Sequence, residues 1–501
     1  MGGVEEFLLL GAADRPEAAA LIDPCTRLSY GELERVSRRV AARLKASGAL
    51  EGDRILIGAK NSVGYCALFL GALLAGSVPC PVHPGWPKER FRRIIASCEP
   101  SAVFADETGS AALGDFFTPL IPLNEFVFGK NAAKIPWRRD GLDPGPPLTA
   151  IMHTSASSGE PKGVMLGRNA VRWVTEAIEG VLKYESRDVI LCGLPFAFDY
   201  SLYQLFLALK SGAALAIGPD FASPVEIPCL LERHRVTVFP LVPSLAALLL
   251  RSRLLEGADL PALRLVTSTG EVFPPAHVLR LREMLKGAEV LPMYGLTECK
   301  RVSITPPGTP AGREDSVGLP LPGTEIRLVN ERGMEAGRGE TGALHVAGPH
   351  LMEGYWRDRE ETEEKWYTGA GGRRWLDTGD LLSRDEEGFL YFEGRRDALL
   401  KIRGERLHPA EVEAVLAGIP GVAEAAVLLA NQKEPCAKLC ALIHPDAGAK
   451  LDEADILREC RKRLPPAWRP DGVVLSAAPL PRNTGGKLDR HAAGALALAL
   501  L

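Results

Sequence analysis

Residues 153–164, His-Thr-Ser-Ala-Ser-Ser-Gly-Glu-Pro-Lys-Gly-Val, set Thr154, Ser155, Ser157 and Ser158 beside Gly159 and Lys162, directly after an apolar run. Short hydroxyls and backbone N–H groups on such a loop wrap phosphate oxygens, and the Lys162 ammonium adds charge. Gly/Ser/Pro clusters are also ordinary surface loops, so this stretch decides nothing alone. Further along come Ser268-Thr-Gly-Glu271, Met293-Tyr-Gly-Leu-Thr-Glu298, Asp377-Thr-Gly-Asp380, Gly394-Arg-Arg-Asp397, Lys401-Ile-Arg-Gly404 and Pro481-Arg-Asn-Thr-Gly-Gly-Lys487. Glu298, beside Thr297 and near Tyr294, reads either as part of a capped turn or as a ligand for a hard cation such as Mg²⁺. Asp380 after Gly379 is on local grounds a turn residue.

Other nucleotide signatures are absent. No Gly-x-x-x-x-Gly-Lys-Ser/Thr occurs, and the formal Gly-x-Gly-x-x-Gly at Gly337, Gly339 and Gly342 precedes a strand instead of linking strand to helix. No His-Glu-x-x-His or paired Cys/His cluster suggests zinc. The 501 residues suffice for more than one domain, with 46% hydrophobic and 24% charged residues, as in a globular protein. A net charge of −4 gives no reason to expect a nucleic acid or an anionic membrane as partner. The apolar stretch from Cys66 to Val82 is broken by Gly71, Gly76, Ser77 and Pro79, which suits a buried helix running into a turn and no membrane span. Ten scattered cysteines and the lack of a charged-then-apolar leader lead to the expectation of a cytoplasmic protein.

The elements that must position these residues are legible as a pattern. Leu33, Val36, Val40 and Leu44 recur at helical spacing. Residues 54–58, 189–192, 213–217 and 235–239 read as short buried strands. Strand–helix alternation over this length predicts an α/β fold, a large N-terminal domain of mostly parallel sheets flanked by helices. From about Val317 short strands such as 325–329 and 343–347 alternate with Gly/Pro turns, which predicts a β-rich subdomain over 317–394. After the charged turn 394–397 come a helix (410–417), strands (425–429 and 438–443) and a helix (453–462), a small α+β domain over 395–501.

Taken together and in this order, the motifs resemble those of the adenylate-forming superfamily: acyl-CoA synthetases, luciferase-like ligases and peptide-synthetase adenylation domains. The resemblance runs from Leu28-Ser-Tyr-Gly-Glu-Leu33 to Lys487. It implies ATP- and Mg²⁺-dependent conversion of a carboxylic acid to acyl-AMP with release of pyrophosphate, then transfer to a thiol of CoA or of a separate phosphopantetheinylated carrier protein. It also implies an N-terminal domain over 1–394 and a mobile C-terminal lid over 395–501, hinged at Asp397. Carried over by position, Tyr294 stacks on adenine, Gly270 and Glu271 let backbone approach the base, Gly295 and Thr297 also bind the nucleotide, and Glu298 holds Mg²⁺. Asp380 binds the ribose hydroxyls with Arg395 nearby. Lys487 neutralises charge in the first step, and Lys401 belongs to the second. The phosphate loop departs from the family at Ala156, where glycine is usual, and at Ser158, often threonine.

The segment Phe198-Asp-Tyr-Ser201 resembles the one in amino-acid-activating domains whose aspartate pairs with the substrate ammonium, so Asp199 is the candidate anchor. The alternative is an internal partner such as Arg301 and a plain acid as substrate. Pocket walls carried over are Tyr200, Tyr203, Pro240, Thr267, Thr269, Met293, Arg301 and Val302; they suggest a restricted pocket, and Arg301 suits a second acidic group. Two further readings remain beside the amino-acid one: a fatty- or aryl-acid CoA ligase, and a non-catalytic nucleotide- or acyl-binding protein on the same fold.

Overall fold

The computed structural model describes residues 2–86, 88–114, 120–129, 137, 146–155, 161–219, 224–396, 400–402, 405–407, 409–430, 438–446, 448–482 and 488–500. Contacts divide the chain into two compact units. The first comprises Met1–Ile326, His345–Asp377 and Gly388–Leu390; the second comprises Arg327–Leu344, Thr378–Glu387 and Tyr391–Leu501.

The first unit is built on parallel strands. Ala19–Ile22, Ala214–Ile217, Val189–Cys192, Val238–Leu241, Leu265–Ser268 and Glu289–Tyr294 lie side by side and parallel. Antiparallel Arg27–Ser29 closes one side, and Ser303–Ile304 and Ser316–Pro320 extend the other. These strands read as continuous apolar runs because helices bury both their faces. A second sheet orders Val78–Val82, Arg54–Gly58, Ala102–Ala105 and Ile121–Pro122, all parallel. A hairpin of Leu148–Ser155 and Pro161–Gly167 is joined by Gly354–Tyr355.

Helix Tyr30–Ser47 carries the expected apolar stripe and starts at a capping box between Ser29 and Glu32. Helix Val63–Ala75 is buried almost throughout and packs on it closely: a Cβ on Gly71 would lie 2.4 Å from Val40 Cγ1. Among the described residues, no helix is long and apolar enough to cross a membrane. After Gly76 the chain enters the strand Val78–Val82, so the stretch read as helix and turn also contains a buried strand. The strand expected at 235–239 begins later, at Val238. Arg235 has a φ of 48°, and the Val236 N–H bonds back to the Leu231 carbonyl, so these residues finish the preceding helix.

In the second unit, Val422–Ala430 pairs antiparallel with Lys438–Pro445, which pairs parallel with Gly472–Leu475. Strand residues alternate between two cores. Val427, Leu439, Ala441 and Ile443 meet helices Pro409–Ala417 and Glu453–Arg463. Ala426, Cys440 and Leu442 meet Ala493 and Ala497 of helix Arg490–Leu500. The period of two in the strands thus sets helices on both faces.

Candidate active site

Several candidate residues of the first unit lie at or just after the C-terminal ends of its parallel strands, where open α/β sheets bind their ligands. Strand Leu265–Ser268 runs into Thr269, Gly270 and Glu271; strand Glu289–Tyr294 runs into Gly295, Thr297 and Glu298. Gly270 has a φ of 96°, a backbone conformation open to glycine. At Gly295 a Cβ would sit 2.1 Å from the Lys300 carbonyl oxygen, so only glycine lets this turn fold back on itself. Glu271 accepts the Ser244 N–H at 3.0 Å, tying the turn to the start of helix Pro243–Ser252. Tyr294 is buried, and its carbonyl accepts the Val302 N–H at 3.0 Å.

Thr154 lies opposite Lys162, and Ser155 opposite Pro161, in the hairpin register. Ser157, Ser158 and Gly159, like Ala156, lie outside the described residues, and of Ser155 only the backbone is described. Lys162 forms an ion pair with Glu361, and its ammonium stands 5.5 Å from the centre of the Tyr355 ring. The Tyr355 hydroxyl donates to Glu298 Oε1 at 2.8 Å. Tyr355 therefore touches two candidate residues, although no motif singled it out.

A small, partly open cavity of about 10 Å³, room for one water, gathers most of the acid-pocket candidates. Tyr200, Tyr203, Thr267, Met293 and Arg301 line it. So do Tyr184, Gln204 and Leu207, which sequence reading passed over. Gln204 and Leu207 follow Tyr200 and Tyr203 by one turn of helix Asp199–Ser211, a spacing that could have revealed them. The Tyr200 hydroxyl donates to the Thr267 carbonyl at 2.9 Å, and Gln204 Nε2 donates to the Tyr200 carbonyl at 3.2 Å. Thr269 and Val302 are buried in the turns beside the cavity, and Pro240 pairs with Thr267 in the sheet.

Arg301 is 5% exposed and donates to Thr269 Oγ1 at 2.6 Å, while its Nε is buried without a partner. Burial pushes its pKa down, opposed by the charges of Tyr200 and Asp199. The Tyr203 hydroxyl is likewise buried and unpartnered, and burial, reinforced by Asp199, pushes its pKa up. Asp199 opens the helix and accepts the Tyr200 N–H at 2.8 Å. The internal partner considered for it, Arg301, bonds Thr269 instead.

In the second unit, Asp380 is 2% exposed and its Oδ1 lies 3.2 Å from Arg395 Nη1. Gly379, with a φ of 75°, and Thr378, whose hydroxyl accepts the Asp380 N–H at 3.1 Å, shape that turn. Asp397 and Lys487 lie outside the described residues; Lys401 is placed by its backbone in strand Leu400–Ile402.

Comparison with known proteins matches this arrangement to one family. Residues 10–356 match the AMP-binding enzyme family, and residues 411–487 match the AMP-binding enzyme C-terminal domain. The chain belongs to this family; it is an AMP-forming acid–thiol ligase. It is 34% identical over 496 residues to an L-proline–[L-prolyl-carrier protein] ligase of Streptomyces coelicolor, covering 93% of this chain and 92% of that one. It is 27% identical to the indoleacetate–CoA ligase of Aromatoleum aromaticum, covering 97% and 96%. The ATP-bound MatB structure from Rhodopseudomonas palustris superposes with a TM-score of 0.86 at 26% identity, covering 99% of both chains.

Proposed function

We propose that this chain activates a compact amino acid as its aminoacyl-AMP and passes the acyl group to the phosphopantetheine thiol of a separate carrier protein. The observation carrying this reading is the pocket itself. Its walls are three tyrosines, a threonine, a glutamine, a methionine, three aliphatic side chains and a buried arginine, and the space between them is small, about 10 Å³. Bulky side chains crowd this space, which favours a compact substrate over a long acyl chain. The Asp199 carboxylate, at the head of the helix that supplies Tyr200 and Tyr203, suits an ammonium. Similarity to a prolyl-carrier-protein ligase over nearly the full length supports the same reading.

In the first step a substrate carboxylate oxygen attacks the α-phosphorus of ATP and pyrophosphate leaves. Thr154, Ser155, Ser157, Ser158, Gly159 and Lys162 receive the phosphates, and Tyr294 with Gly270, Glu271, Gly295 and Thr297 receives the adenine. Asp380 takes the ribose hydroxyls, with Arg395 beside it. Glu298, a hard oxygen donor held by Tyr355, fits Mg²⁺, which when bound neutralises phosphate charge. Lys487 stabilises the charge developing at the α-phosphorus. Rotation of the lid about Asp397 then withdraws Lys487 and presents Lys401 for thiol attack on the acyl carbonyl, with AMP leaving. The cysteines among the described residues are unbridged, which suits a reducing cytoplasm.

ATP–pyrophosphate exchange across amino acids, aryl acids and fatty acids tests the proposal. Exchange confined to one or a few amino acids supports it. Exchange with aryl or fatty acids alone overturns it in favour of a CoA ligase, and ATP binding without exchange for any acid points to a non-catalytic binding protein.

A further inference from the structure

Tyr355 sits where the phosphate-loop hairpin meets the turn carrying Glu298. On one side, Gly354 and Tyr355 pair with Met165 and Val164, and the Trp356 N–H bonds the Gly163 carbonyl at 2.7 Å. On the other, the Met352 N–H bonds the Glu298 carbonyl at 2.7 Å. Two side-chain contacts repeat this bridge: the phenol donates to Glu298 Oε1 at 2.8 Å, and its ring faces the Lys162 ammonium at 5.5 Å. The segment is held from behind as well. The Tyr355 N–H bonds Thr362 Oγ1 at 2.9 Å, and Trp356 Nε1 bonds the Ser97 carbonyl at 3.1 Å.

Packing alone explains a ring at this position, since Tyr355 is 4% exposed. It does not explain the hydroxyl, because phenylalanine would fill the same space. The hydroxyl donates to one oxygen of a carboxylate, and fixing one oxygen of a planar carboxylate also fixes the direction of the other. A hydrogen bond to an ionised acceptor is stronger than a neutral one, so it restrains Glu298 effectively. The same ring offers its negative face to a cation whose place is on the neighbouring strand.

We propose that Tyr355 is a positioning residue for magnesium-ATP: its hydroxyl aims Glu298 at the metal while its ring sets the distance from Glu298 to Lys162. This rests on the reading of Glu298 as metal ligand and Lys162 as phosphate ligand. Outer hydrogen-bond partners of ligating carboxylates govern metal affinity by about 10–100-fold. Removing this one therefore weakens binding without touching the acid pocket.

The test is a double-mutant cycle of Tyr355→Phe and Glu298→Gln, read by calorimetric titration of ATP at graded Mg²⁺ and by pyrophosphate exchange. Tyr355→Phe is expected to raise the dissociation constant of magnesium-ATP about tenfold, to raise the Mg²⁺ needed for half-saturation, and to leave the KM for the acid unchanged. The ligand-free thermal midpoint serves as the control for folding. In the Glu298→Gln background the second substitution should add little, because the group it positions is already lost. If Glu298→Gln shifts the Mg²⁺ requirement and Tyr355→Phe does not, the positioning role is wrong. Equal, independent effects of the two substitutions also overturn it. If Glu298→Gln itself leaves the Mg²⁺ requirement unchanged, the fault lies in the metal assignment beneath the proposal.

Discussion

The ammonium of Lys300 donates to the backbone carbonyl of His350 at 2.7 Å, placing a buried cation beside a buried imidazole. His350 is fully buried, stacks on Trp173 at 5.2 Å between ring centres, and has no partner for either ring nitrogen. Burial, and then the nearby charge of Lys300, push the His350 pKa down to about 3. An imidazole kept neutral in this way makes the fold sensitive to acid.

The sign follows from proton counting. Between the ordinary histidine value of 6.5 and the folded value of about 3, the unfolded chain binds the proton that the folded chain refuses. Stability is therefore fully present above pH 6.5 and is lost as pH falls toward 3. The loss assignable to this one group is on the order of 5 kcal/mol. His350→Phe keeps a ring on Trp173 and removes the titration. Thermal midpoints of both proteins from pH 8 to pH 3.5 should therefore converge or cross on the acid side; parallel curves would remove His350 from the account.

How far the sequence carried the site depended on whether neighbours in space were neighbours in chain. The buried strands at 54–58 and 189–192 were legible because short apolar runs bounded by turns announce themselves. Five of the eight wall candidates line one cavity because each follows or lies in a strand or helix whose motif was visible. Arg235 was misread because a single residue of positive φ leaves no trace in a β-branched stretch such as Val236-Thr-Val. Helix Arg490–Leu500 was invisible because an Ala/Leu run gains a face only from the sheet it covers. Tyr355 was missed for the same reason: pairing with Val164 brings it to Lys162, the Met352–Glu298 backbone bond brings it to Glu298, and no spacing records either.

Asp199→Asn tests the ammonium anchor with little change of shape, since asparagine still accepts the Tyr200 N–H. Losing one partner of a desolvated ion pair costs about 3–5 kcal/mol. The KM for the cognate amino acid should therefore rise at least about 100-fold, with the KM for ATP unchanged. The deaminated analogue, which lacks the cation, should lose far less, and comparing the two substrates in exchange assays checks this. Equal losses for both would make Asp199 a structural helix-start residue.

Lys487→Ala and Lys401→Ala should separate the half-reactions. Removing a group that stabilises developing charge in the first transition state costs about 100- to 1,000-fold in rate. Lys487→Ala should thus abolish most exchange while still transferring acyl from supplied acyl-AMP to a pantetheine thiol. Lys401→Ala should show the reverse pattern. A single substitution that damages both steps equally would remove the case for alternating faces of the lid.

Under the role proposed for Lys162, Glu361 competes with the substrate for its cation. Its carboxylate pairs with Lys162, both side chains being about one-fifth exposed (24% and 20%). A partly exposed pair of this kind contributes up to about 1 kcal/mol, which the polyphosphate must replace when Lys162 turns to it. Glu361→Gln keeps a neutral acceptor in place but withdraws the competing charge. The KM for ATP should fall about threefold at low ionic strength, and the advantage should shrink as salt screens the pair. Lys162→Ala should raise the KM for ATP and erase the effect of Glu361→Gln in the double variant. Steady-state titrations of ATP at two salt concentrations decide it. A rise in KM for Glu361→Gln would mean that the carboxylate holds Lys162 ready for the phosphates instead of withholding it.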